Sequence, residues 1–198
     1  KGDDVKNVLV KGAVTTMNWI ERRTNYSTSL ASTSMIGYII GLGDRHPSNI
    51  MMQSSKAKLV HIDFGDCFEI AMHREHYPEK VPFRLTRIMV KALELSSIEG
   101  TYRESCESIM QLLRENGDQI LGLLEAFIYD PLFQWTSGSQ NKIDEAVAII
   151  DRIKDKLSGN DGTGDSCTAV EKQVNRLIRE AQNKKNLCQM YKGWLPWW

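Results

Sequence analysis

Two segments concentrate the residues able to do chemistry: GLGDRHPSNIMM at 41–52 and HIDFGDCFE at 61–69. Asp44, His46 and Asn49 fall within six residues, and Asp63 follows a short apolar run. Any one of these in a glycine-flanked loop is ordinary turn chemistry, because such side chains bridge local backbone. Together they meet the needs of phosphoryl transfer from ATP. That reaction wants a carboxylate beside the attacking hydroxyl and oxygen ligands that hold Mg²⁺ against the phosphates.

The spacing sharpens the reading. Protein kinases carry H-R-D-x-x-x-x-N on a catalytic loop and D-F-G at a hairpin end. Asp44 and Asn49 keep the Asp-to-Asn interval, and Asp63-Phe64-Gly65 comes after the apolar run. The His has moved, so the order is Asp44-Arg45-His46. Asp44 is the expected catalytic base or proton orienter. Asn49 and Asp63 are the expected metal ligands, since hard Mg²⁺ (or Mn²⁺ in its place) takes oxygen. His46 either presents its imidazole to the transferring phosphoryl, where negative charge needs stabilising, or holds Asp44 in place. Met51 and Ile62 either floor an adenine ring as cofactor-binding residues or form plain hairpin core.

These groups need a scaffold. Residues 24–40 place Tyr26, Leu30, Ile36, Ile39 and Ile40 on one helix face, which Gly41 and Gly43 end. The runs 50–52 and 59–62, flanking QSSKAK, predict a β-hairpin. From 85 onward the apolar period is helical. Ile88, Ala92 and Leu95 form one stripe; Cys106, Ile109, Met110 and Leu113 another; Ile120, Leu121, Leu124, Phe127 and Ile128 a third, stopped by Pro131. Gly100 and Gly117 mark breaks. TSGSQN at 136–141 reads as a linker or as the remnant of a longer inserted loop. Two amphipathic helices follow, striped by Ile143, Val147, Ile150, Ile153 and Leu157, then by Val170, Val174, Leu177, Ile178 and Ala181. SGNDGTGDS at 158–166 separates them.

The 198 residues are 41% apolar and 25% charged, with 25 basic and 25 acidic side chains. That is the composition of a soluble domain, and the zero net charge gives no bulk attraction to nucleic acid. Cys67, Cys106, Cys167 and Cys188 form no CxxC pair, which predicts a reducing, intracellular setting. No apolar run reaches the length of a membrane span. The opening KGDDVKNVLVKG has no Met and no signal segment, which predicts a piece of a longer polypeptide.

GLGDRHPSNIMM and HIDFGDCFE resemble the catalytic and metal-binding loops of the phosphatidylinositol-3-kinase-related protein kinases. RRTNYSTSLASTSMIGYI, PEKVPFRLTR and LLEAFIYDPLFQW resemble segments of the branch that serves nutrient and growth signalling, and NLCQMYKGWLPWW resembles the FATC tail that closes these kinases. The resemblance implies an α+β, mostly helical fold: a protein-kinase-like C-terminal lobe of the PI3K/PI4K type with a short catalytic hairpin, then a helical FATC tail. It implies a C-lobe over 1–135 with its activation segment at 61–87, a linker and helix over 136–166, and FATC over 167–198. It also implies a serine/threonine protein kinase using ATP and Mg²⁺, in the cytoplasm or on endomembranes such as the lysosome or vacuole, with a nuclear pool. Its partners would be protein substrates, a WD-repeat subunit on the C-lobe, a substrate-recruiting scaffold, the rest of its own chain and, through the tail, a membrane surface.

The sequence has no glycine-rich phosphate loop, no strand Lys and no partner Glu, so residues 1–198 alone are expected to be inactive. Met190 and Leu195 stand where related tails carry Cys. A lipid kinase would place basic residues after DFG, whereas 66–81 holds Asp66, Glu69, Glu75 and Glu79 against Arg74 and Lys80. A sister kinase of the DNA-damage or RNA-surveillance type would share the layout, but several sisters alter the Phe-Gly that here follows Asp63. A non-catalytic scaffold would be expected to lose Asp44, Asn49 or Asp63, and all three stand. The dense tail residues Trp194, Leu195, Pro196, Trp197 and Trp198 are expected to dock on the lobe and to partner the stripe of the helix at 168–182.

Overall fold

The computed structural model describes residues 4–93, 96–128, 142–160 and 168–197. The architecture is mostly helical with one small antiparallel sheet, as the sequence predicts. The order is α1 (Val5–Lys11), α2 (Thr16–Ile39), β1 (Ile50–Met52), β2 (Leu59–His61), α3 (Arg87–Ala92), α4 (Thr101–Glu115), α5 (Gly117–Ile128), α6 (Lys142–Ser158), α7 (Val170–Ala181) and α8 (Lys184–Cys188).

α2 is the central rod. It starts at Thr16, well before the predicted residue 24, because Thr15 caps it by accepting the Asn18 N–H at 3.1 Å. Met17 and Ile20 in its first turns are exposed, so the periodicity there is silent. Tyr26, Leu30, Met35 and Ile39 are buried, each contributing about 1.5–3 kcal/mol by burial. Ile36 is exposed, contrary to expectation. Six residues beyond Leu30 is about 240° around a helix, off the core face.

α4 packs along α2 and joins it through a hydrogen bond from the Tyr102 hydroxyl to Ser34 Oγ at 3.1 Å. Gly100 and Gly117 stand at helix boundaries as expected. α6 and α7 close the core with Ala146, Ile149, Ile153, Leu157, Val174, Leu177, Ile178 and Ala181. Val147 is exposed and drops out of the predicted stripe. Leu95 of the first predicted stripe, the stop at Pro131 and the linker at 136–141 lie outside the described residues, as does Cys167. No described helix is long and apolar enough to cross a membrane.

The hairpin pairs Ile50 with His61, Met51 with Val60 and Met52 with Leu59. Its turn is closed by the Gln53 N–H on the Lys58 carbonyl and the Ala57 N–H on the Gln53 carbonyl, both at 2.8 Å. The buried Arg22 of α2 donates to the Ser54 and Ser55 carbonyls at 2.7 and 2.9 Å, fixing that turn to the rod.

Candidate active site

The site begins where α2 ends. Gly41 has φ 59°, and a Cβ there would stand 2.6 Å from the Glu69 nitrogen. A Cβ on Gly43 would meet the Ala71 Cβ at 2.2 Å. Both glycines are needed because two strands of loop run side by side. Phe68 N–H donates to the Ile40 carbonyl at 2.8 Å, Glu69 N–H to Gly41 at 2.9 Å, and Gly43 N–H to Asp66 at 2.8 Å. The loop carrying Asp44 is thereby stitched to the segment that follows Asp63.

Asp44 and Asp63 share an unusual backbone. Their φ angles are 55° and 59°, a left-handed conformation that costs a non-glycine residue about 1–3 kcal/mol unless its surroundings impose it. Arg45 imposes it. Its buried guanidinium donates to the Gly43 carbonyl at 2.7 Å, to Ile62 at 2.8 Å and to the Asp63 carbonyl. Burial pulls the Arg45 pKa below its ordinary value, while the carboxylates of Asp44, Asp63 and Glu79 oppose that shift.

Asn49 is buried, and its side-chain nitrogen donates to the Asp44 carbonyl at 3.0 Å and reaches the Asp44 carboxylate at 3.5 Å. That leaves the amide oxygen for a cation. The Ile62 N–H donates to the Asn49 carbonyl at 3.1 Å, which sets Asp63 one residue from Asn49 across the hairpin base. Asp63 is exposed, with Oδ1 accepting the Gly65 N–H at 3.2 Å. The donor set fits Mg²⁺, which commonly takes one or two protein oxygens and completes its shell with water and phosphate.

His46 caps the 3₁₀ turn Pro47–Asn49. Its Nδ1 accepts the Ser48 N–H at 3.2 Å, so in the neutral ring Nε2 carries the proton. Nε2 stands 3.8 Å from Asp44 Oδ2, within electrostatic reach and beyond a direct hydrogen bond. Ile50, Met52 and Leu59 turn toward the core, whereas Met51, Val60 and Ile62 are 55%, 48% and 39% exposed. Met51 and Ile62 therefore belong to an outward apolar face rather than to hairpin core. Strand alternation from Met51 and its partner would have added Val60.

Beside Asp44 lies a cleft of about 490 Å³, lined by Asp44, His46, Arg74, Tyr77, Tyr191 and Trp194. Its far wall is the tail. Leu187, Met190 and Trp194 bury themselves against Val81, and the Asn186 side chain donates to the Lys80 carbonyl at 3.0 Å. Docking is as expected, but its surface is the segment around Val81; the α7 stripe is partnered by α4. Trp194 and Pro196 are buried, whereas Leu195 and Trp197 are exposed and Trp198 lies outside the described residues.

Sequence reasoning missed Arg45, Glu79 and Arg84. All three are charged yet buried, at 3%, 8% and 7% exposure. The signal was the placement of Glu79 and Arg84 in PEKVPFRLTR, among the apolar residues Val81, Phe83 and Leu85 that become buried.

Residues 1–137 match the profile of the family "Phosphatidylinositol 3- and 4-kinase", and residues 167–198 match the FATC domain. The chain is 40% identical over 255 residues to the serine/threonine-protein kinase mTor of Drosophila melanogaster, covering all of this chain and 10% of that protein. It is 41% identical over 239 residues to the serine/threonine-protein kinase TOR2 of Saccharomyces cerevisiae, again covering all of this chain and 10% of the relative. Among solved structures, the FAT and kinase domain of CtTel1 superposes with a TM-score of 0.83 at 32% identity, over 98% of this chain and 14% of that one. The chain thus spans about a tenth of the length of these curated relatives.

Proposed function

The chain belongs to the phosphatidylinositol 3- and 4-kinase family, and on that premise we propose that it forms the catalytic-loop half of a serine/threonine protein kinase of the target-of-rapamycin kind. The observation that supports this most is the gathering of Asp44, Asn49 and Asp63 by two backbone-directed hydrogen bonds, from the Asn49 amide to Asp44 and from Ile62 to Asn49. Asp44 takes up the proton of the acceptor hydroxyl. His46 directs its Nε2 proton into the same space, where negative charge on the transferring group is stabilised by nearby donors. Asn49 and Asp63 would hold Mg²⁺, whose part is to neutralise the phosphate charge. Met51, Val60 and Ile62 offer the apolar face for the adenine of ATP.

A protein acceptor is favoured over an inositol headgroup. In segment 66–81, Asp66, Glu69, Glu75 and Glu79 outnumber Arg74 and Lys80, and Arg74 is already engaged by the Asp66 carboxylate. The relatives' names, serine/threonine-protein kinases, point the same way. By the same likeness we propose a role in nutrient and growth signalling, a WD-repeat subunit on this lobe, a scaffold that recruits substrates, and a cytoplasmic or endomembrane setting. The test is phosphotransfer by the intact protein to a serine- or threonine-bearing protein, compared with transfer to phosphoinositide vesicles. Transfer to protein alone is expected; transfer to lipid alone overturns the reading.

A further inference from the structure

The peptide that carries Asp44 is gripped from the same stretch of chain at both ends. Its N–H donates to both carboxylate oxygens of Glu79, at 3.1 and 3.0 Å. One residue on, the Arg45 carbonyl accepts from the Arg84 guanidinium at 3.4 Å. Glu79 is itself anchored by its own N–H on the Ala71 carbonyl at 3.0 Å. Nothing in the chemistry assigned to Asp44, His46, Asn49 and Asp63 uses these two buried charges.

We propose that Glu79 and Arg84 are positioning residues, a two-point clamp from segment 79–84 that grips the Asp44–Arg45 backbone and so holds Asp44 in the left-handed conformation the catalytic carboxylate needs. Three observations carry it. The φ of 55° at Asp44 is unfavourable for a β-substituted residue and needs an external restraint. An isolated buried carboxylate is expensive, so a Glu at 8% exposure spending both oxygens on one backbone N–H is a charge-assisted bond with a structural purpose. Finally, Arg84 also donates to the Trp194 carbonyl and, at 3.2 Å, to that of Leu195, which ties the clamp to the docked tail. The tail therefore supports the catalytic loop through one side chain, without lending a group to the reaction.

The proposal rests on the kinase reading, with Asp44 as base, and its test separates the two. In the intact protein, kcat and the KM for ATP are measured for Glu79→Ala and Glu79→Gln, with amide exchange of segment 43–47 read in parallel. Misplacing a catalytic group by about 1 Å lowers rate on the order of 100-fold. Glu79→Ala is therefore expected to lower kcat by about 10–100-fold with KM for ATP within about twofold, and to speed exchange at Asp44. Glu79→Gln keeps one acceptor oxygen but loses the charge, so its kcat should fall between, about two- to tenfold below the parent. Any other order of the three rates overturns the clamp, as does a loss shared by kcat and ATP binding. If the Ala variant does not fold, the Gln variant decides, and parental kcat overturns the proposal. Asp44→Asn, measured alongside, reports on the kinase reading alone: retained activity there defeats that reading, whatever Glu79 does.

Discussion

The Arg84 guanidinium stacks 4.4 Å over the Trp194 ring and donates to the Trp194 carbonyl, joining residues 110 apart in sequence. Burial lowers the Arg84 pKa to about 10, opposed by the Glu79 carboxylate, so the group stays charged at physiological pH. A planar fork that bonds backbone oxygens while covering an indole face is work an ammonium cannot copy.

Arg84→Lys is accordingly not conservative. In the intact protein it is expected to lower kcat by about tenfold or more and to raise hydrogen exchange in residues 187–197. Trp194→Ala should do the same more severely, since truncating a buried Trp costs about 3–5 kcal/mol. Exchange in the tail unchanged from the parent in both variants would show that the docking has another basis.

The outward hairpin face is expected to act on ATP rather than on the protein acceptor. Val60→Asp, which puts charge on an exposed apolar strand, should raise the KM for ATP about tenfold or more while the fold persists, because Val60 is half exposed. Met52→Asp, on the core-facing side, should instead prevent folding. The comparison is read by ATP titration and by yield of folded protein.

A third prediction concerns pH. Glu69 follows the DFG segment and is paired with Lys156 at 2.6 Å and Arg152 at 3.0 Å, both from α6. Burial alone would raise its pKa, but Lys156 first and then Arg152 outweigh burial and hold it below the ordinary 4.5. A carboxylate depressed in the folded state stabilises fully above the unfolded value and loses that contribution as pH falls through the folded one. Amide exchange at Phe68 and Glu69 should therefore be slow and steady above about pH 5 and accelerate, beyond its intrinsic trend, below about pH 4. Lys156→Met should give fast exchange at neutral pH, as breaking a largely buried pair costs about 3–5 kcal/mol. A Lys156→Met variant with parental exchange would contradict the pairing.

How much of this was legible in the sequence follows the range of each interaction. The helical stripes Cys106–Met110 and Val174–Ala181, and the hairpin at 50–52 and 59–61, are encoded locally, and the structure carries them. α1 was missed because seven residues with exposed Val8 and Val10 show no clear period. The early start of α2 hid behind exposed Met17 and Ile20. In the candidate site, Asp44, Asn49 and Asp63 were readable from spacing alone. Arg45, Glu79 and Arg84 were not, because, apart from the local Arg45–Gly43 bond, their side-chain partners lie 17 to 111 residues away and such polar contacts leave no periodicity. The partner of α7 was misjudged for the same reason: a stripe announces that it will be covered, not by what.

The most direct test of the account is phosphotransfer and ATP binding by Asp44→Asn and Asp63→Asn in the intact protein. Asp44→Asn is expected to bind Mg²⁺–ATP like the parent and to lose about two to four decades of kcat toward a protein substrate, the usual worth of a positioned base. Asp63→Asn should weaken Mg²⁺–ATP binding itself, because a formal charge leaves the oxygen donor set. Near-parental kcat in Asp44→Asn, together with parental nucleotide affinity in Asp63→Asn, would contradict the assignment of this loop pair as the phosphotransfer site.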